Sequence, residues 1–74
     1  MKEIDWKKEA KFVIKKELLK QDIDYVKLCE LLEKIGFKDN AGNVANKLHR
    51  GTFTFIFALQ VFRAIGIDTL KLGE

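Results

Sequence analysis

The stretch Asn43-Val44-Ala45-Asn46-Lys47-Leu48-His49-Arg50-Gly51 predicts a short amphipathic helix with a distinctive outer face. At 100° per residue, one side of this helix carries Ala41, Val44, Ala45 and Leu48. The nearly opposite side carries Asn43, Asn46 and Arg50, with Lys47 at the flank. Gly51 closes the helix. Amides and cations in this arrangement are the groups that a helix needs to read DNA.

Two more helices are predicted upstream of this stretch from apolar periodicity and capping residues. The first runs from about Asp5, its N-cap, to Lys20, and its buried side contains Trp6, Ala10, Val13 and Ile14. The second runs from N-cap Asp24 to Gly36, and its buried side contains Tyr25, Leu28, Leu32 and Ile35. The third helix, described above, is entered through Asp39 or Asn40.

The segment after Gly51 fits a strand or a helix. Residues 52–55 alternate with period two, yet residues 55–65 contain only Gln60 and Arg63 as polar residues. Because this run exceeds a typical strand, we expect a buried helix capped by Thr54 and closed by Gly66. Residues 67–72 would form a short extended tail. The sequence thus predicts one all-α domain over residues 1–74, a compact bundle of four helices.

Composition narrows the class of protein. The 74 residues are 47% hydrophobic and carry a formal net charge of +3, which permits DNA binding without arguing for it. The single Cys29 excludes an intramolecular disulfide, and no metal-ligand spacing surrounds it. With no apolar span of roughly 18 residues and no signal peptide, we expect a cytoplasmic protein without membrane, metal or cofactor.

The order of residues over about 14–67 resembles the helix-turn-helix domain of phage-repressor and Cro-like regulators. Residues 18–30 are similar to the segment that joins the family's first helix to the Leu-Ala opening of its second, with Cys29 in the alanine position. Residues 48–51 are similar to its Ile-Glu-Arg-Gly ending, although His49 replaces the acid. Residues 63–67 are similar to its Lys-Ala-Leu-Gly-Val stretch. The connection from Gly36 to Val44 is longer than the family's tight turn.

The chain also resembles a small bacterial domain family of unassigned function. That family has a Trp near its start, a Tyr-x-x-Leu opening to its second helix and an Asn-Lys-x-x-Arg-Gly-x-Phe motif. Here the motif corresponds to residues 46–53. This second resemblance supports the fold and implies no activity.

The helix-turn-helix resemblance implies that the third helix enters the major groove of double-stranded DNA as part of a transcription regulator. The expected base contacts are Asn43, Asn46 and Arg50, since amides match adenine and arginine matches guanine. The expected phosphate contacts are Lys38, Lys47 and Thr52. Structural alternatives remain open: the amides and Lys47 fit a solvated helix face, and Arg50 fits a partner of helix-end carbonyls.

The abundance of phenylalanine suggests a different function, a protein-interaction module. Phe53, Phe55, Phe57 and Phe62 are hard to bury together in so small a monomer, so we expect one or two to be exposed for pairing. The candidate interface comprises Phe53, Phe55, Phe57, Leu70 and Leu72. A homodimer would suit both functions. Binding of RNA or single-stranded DNA is a weaker alternative, and the absence of a convergent acid/base pair argues against an enzyme and a small-molecule substrate.

Overall fold

The computed structural model describes residues 3–69 as four α-helices joined by short turns. The helices are α1 (Trp6–Lys20), α2 (Tyr25–Lys34), α3 (Ala41–Arg50) and α4 (Phe55–Ala64). This part of the chain contains no strand. The predicted all-α class is therefore confirmed, and the strand alternative for the segment after Gly51 is wrong.

Each helix begins at a polar N-cap residue. In every case the side-chain oxygen of the cap accepts a hydrogen bond from the backbone N–H three residues later. The four caps are Asp5, Asp24, Asn40 and Thr54. These bonds satisfy amides that have no partner inside the helix. The caps confirm the predicted helix starts and assign the entry of α3 to Asn40.

Three helices end in a similar backbone motif, built around a residue with positive φ. After α2 this residue is Gly36 (φ 92), and the next backbone N–H, that of Phe37, donates to Leu32 O over 3.0 Å. Gly66 (φ 78) has the same place after α4. After α1 the place is taken by Asp22 (φ 55), whose Cβ makes this conformation strained.

The hydrophobic core lies where α1 and α2 each pack against both α3 and α4. Within residues 3–69, no Cα atom of α3 lies within 8 Å of one in α4, and the same holds for α1 and α2. The contact between α3 and α4 is made by side chains, with Lys47 against the ring of Phe57. The buried cluster consists of Ile14, Leu18, Leu28, Leu32, Val44, Leu48, Phe57, Ala58, Val61 and Ile65. Every helix contributes to this cluster, so the outer face of each is fixed by the side it buries.

Two aromatic or aliphatic residues expected in the core are exposed. Trp6, the first residue of α1, is 71% exposed. Ile35 follows the last residue of α2 and is also exposed. Tyr25 and Cys29, by contrast, pack against the core from partly buried positions.

The C-terminal end of α3 touches the first turn of α1. Gly51 has φ 71, and a Cβ added there would lie 2.4 Å from the backbone oxygen of Lys7. Glycine is therefore required at this position for two reasons, its left-handed backbone and the close approach of another helix. This contact fixes the end of α3 against α1.

The predicted tail is only partly covered by the described residues. Ile67 packs against the core, whereas Leu70 and Leu72 lie outside the described range. None of the described helices has the length and apolar character needed to cross a membrane.

Candidate nucleic-acid interface on helix α3

The rotation of α3 is set by its two buried residues. Val44 and Leu48 lie in the core, which turns the opposite side of the helix to solvent. Asn43, Asn46 and Arg50 are all exposed on that side, as the sequence predicts. We call these three residues the α3 face.

A carboxylate adjoins the α3 face. Asp39 Oδ1 accepts hydrogen bonds from the backbone N–H of Asn40 (2.9 Å) and from Asn43 Nδ2 (3.0 Å), while Oδ2 accepts one from Lys47 Nζ (3.0 Å). The backbone bond from Asn40, followed by those from Asn43 and Lys47, lowers the pKa of Asp39 below its ordinary value. Asp39 is therefore ionised at neutral pH and fixes the side chain of Asn43.

Lys47 is not a freely projecting cation. Besides its bond to Asp39, its Nζ lies 5.4 Å from the centre of the Phe37 ring and 5.0 Å from that of Phe57. The side chain is partly buried. Both ring distances suit cation–π attraction. A phosphate would have to compete with Asp39 for this ammonium group.

The remaining predicted contacts are more accessible. Asn46, Arg50, Lys38 and Thr52 are exposed, and their side chains make no hydrogen bond or ion pair with any residue of the range 3–69. The structural alternative for Arg50, pairing with helix-end carbonyls, is absent from this part of the chain. These four side chains are free to meet a ligand.

The predicted apolar interface needs one correction. Phe57 is only 4% exposed and packs in the core, with its ring centre 5.9 Å from that of Phe53 and 6.1 Å from that of Phe37. Phe57 is therefore a core residue and not an interface residue. Phe55 is exposed as predicted, and Phe53 is partly buried.

Comparison with known proteins gives one match. Residues 6–70 match the family model DUF6471, described as a domain of unknown function. The chain belongs to the DUF6471 family. None of the curated proteins or solved structures compared with it matches.

Two features of this DUF6471 domain were not expected from its sequence. The first is the role of Asp39, which the sequence suggests only as a helix cap; because Asp39 precedes the N-cap Asn40, no helical spacing links it to Asn43 and Lys47. The second is the exposure of Ile56 and Leu59 on α4. The apolar run of α4 gave no sign of which side faces outward.

Cys29 of the DUF6471 domain lies partly buried beside the core. Burial, and then the negative charge of Asp39, raises the pKa of its thiol above the ordinary value. The thiol form is therefore favoured at neutral pH, which is unsuited to a nucleophile. Across residues 3–69, no group of three or more His, Cys, Asp or Glu side chains is placed to hold a metal ion.

Proposed function

We propose that this domain binds double-stranded DNA, with α3 in the major groove, and acts as a helix-turn-helix regulator of transcription. The observation that carries the proposal is the α3 face, where two amides and an arginine are exposed on a helix whose rotation is fixed by Val44 and Leu48. Support also comes from the resemblance to Cro-like regulators over residues 14–67.

The chemistry of the α3 face suits base edges. Asn46 and Asn43 each offer a donor and an acceptor, as adenine requires, and Arg50 can donate two parallel bonds to guanine. Asp39 holds one Nδ2 hydrogen of Asn43, which orients the amide and leaves its oxygen and second hydrogen for a base. Each good bidentate contact is worth about 1–3 kcal/mol of discrimination.

Phosphate contacts would come from Lys38 and Thr52, which flank α3, and from Lys47 after it leaves Asp39. The net charge of +3 is small, and Asp39 places a negative charge beside the α3 face that would meet the DNA. We therefore expect modest affinity that falls with salt, since phosphate contacts release counterions.

The proposal is tested by titrating the isotope-labelled protein with a duplex of about ten base pairs, one turn of DNA, at low and high salt. Amide NMR shifts centred on residues 38–52 that fade with salt are expected. Arg50→Ala should weaken binding at least five-fold, whereas Lys20→Ala, which removes one exposed charge at the end of α1, should have a smaller effect. Equal losses, or shifts confined to the lysines of α1, would overturn the assignment of α3.

A second candidate function is a protein-interaction module that uses α4 without DNA. The observation that favours it is the exposure of Phe55, Ile56 and Leu59 on one helix. If the amide signals do not shift on addition of DNA, while the signals of α4 shift with protein concentration, the result would favour this function over DNA binding.

A further inference from the structure

Helix α4 is apolar on its solvent-exposed side as well as on its buried side. Phe57, Ala58 and Val61 are buried, yet Phe55 is 75% exposed, Ile56 69% and Leu59 51%. An apolar groove of about 300 Å³ continues this surface between α4 and α1, with walls that include Phe53, Phe55 and Phe62 on one side and Ala10 and Val13 on the other. A contiguous apolar patch of this kind marks an interaction surface.

We propose that the occupant of this surface is a second copy of the chain, whose α4 packs antiparallel to the first about a two-fold axis at Leu59. A two-fold interface is formed by the same patch on both copies, so residues that sum to a constant number face each other. With Leu59 against itself, Phe55 lies opposite Arg63 of the second copy, and Ile56 lies opposite Phe62.

The charge distribution on α4 favours a second copy over an unrelated partner. Arg63 is the only charged residue between Phe55 and Ala64. It is exposed and forms no ion pair with any residue of the described range. In the antiparallel pair each arginine meets an exposed phenylalanine ring, which gives two cation–π contacts and brings no two like charges together.

The size of the patch places it below a standard stable interface. The exposed parts of Phe55, Ile56 and Leu59 offer on the order of 400 Å² per copy, about half of what one partner contributes to a standard stable interface. The groove walls and Arg63 add to this area. Interfaces below the standard size are typical of transient association, so we expect a weak, reversible dimer.

This inference goes beyond the proposed function, because it rests on the exposed side chains of α4 and not on DNA binding. The α4 surface and the α3 face share no residue, so each can be altered by substitution without changing the other. Self-association is measured without DNA, so its failure and a failure of DNA binding are separate results. Arg50→Ala should leave the dimer unchanged.

The first test is sedimentation equilibrium of the full chain from 5 μM to 1 mM. Leu59→Asp should weaken self-association at least ten-fold, whereas Leu19→Asp, which alters a leucine of α1 that is 79% exposed, should leave it within two-fold. Circular dichroism confirms that both variants fold. A wild-type chain that stays monomeric at 1 mM overturns the proposal and leaves the patch to a different protein. Equal weakening by both variants overturns it as well.

The second test examines the register. Phe55→Glu places a carboxylate opposite Arg63 of the second copy and should keep the Kd within three-fold of wild type. Phe55→Lys places a like charge there and should raise the Kd at least ten-fold. The two variants differ only in sign at one exposed position, so equal effects, or the opposite order, would overturn the antiparallel arrangement about Leu59.

Discussion

Lys47 Nζ lies 3.0 Å from Asp39 Oδ2, so a cation of the candidate DNA surface is held by a carboxylate of the same chain. The pair joins the loop before α3 to the last turns of that helix, and the Phe57 ring lies beneath the ammonium group. This relationship both orders the surface and lowers its attraction for phosphate.

Asp39→Asn should bind DNA more tightly than wild type. The change removes a negative charge beside the proposed DNA-binding surface and releases Lys47. Non-specific affinity for DNA at low salt should therefore rise about three- to ten-fold, and the slope of log affinity against log salt concentration should steepen by about one. Fluorescence anisotropy with a labelled duplex measures both quantities. Asp68→Asn, the same change near the end of α4, is the control. An equal gain in the control would show that net charge alone is responsible.

Lowering the pH should destabilise the wild-type chain more than it destabilises the Asp39→Asn variant. Because the folded-state pKa of Asp39 is lowered, chiefly by the Asn40 backbone bond, this carboxylate stabilises the fold above its unfolded-state pKa of about 3.9. The stabilisation is lost as pH falls through the folded-state value. Urea midpoints at pH 6 and at about pH 3 should therefore differ more for wild type. Parallel declines in the two proteins would contradict this role of Asp39.

Gly51→Ala should cost more stability than Gly66→Ala. Both glycines have similar positive φ values, 71 and 78, so each substitution should cost about 1 kcal/mol in backbone strain. Only at Gly51 would the new Cβ meet the Lys7 carbonyl. Overpacking of this kind adds about 1–3 kcal/mol. Urea unfolding measures the free energy of unfolding of both variants. Equal losses of stability would show that α1 and α3 can move apart at this contact without cost.

Asp22→Gly should stabilise the domain by about 0.5–1 kcal/mol. Asp22 holds the left-handed position after α1 that glycine holds after α2 and α4, and glycine removes the strain of its Cβ. The neighbouring Gln21 has φ −97 and carries no such strain. Gln21→Gly should therefore destabilise the chain. Thermal unfolding of the two variants should move the melting temperature in opposite directions.

Local signals made the helices predictable from the sequence. Asp24, Asn40 and Thr54 cap through their own side chains, and Gly36 and Gly51 end helices through their own backbones, so each boundary depends on few neighbours. The α3 face was equally predictable, because the polar and apolar residues of α3 fall on opposite sides at helical spacing.

Tertiary packing determined what the sequence did not reveal. The first turns of α4 are apolar on every side, so periodicity could not say that Phe57 turns inward and Leu59 outward. The capture of Lys47 by Asp39 depends on the path of the loop before α3, which no short-range pattern fixes.

The pairing of helices also bears on how the chain folds during synthesis. Within residues 3–69, no Cα atom of α1 lies within 8 Å of one in α2, whereas both helices come that close to α3 and to α4. The contact between Lys7 and Gly51 likewise joins the start of α1 to the end of α3. The buried cluster includes residues of α3 and α4, so the apolar sides of α1 and α2 are fully covered only when the second half of the chain has left the ribosome.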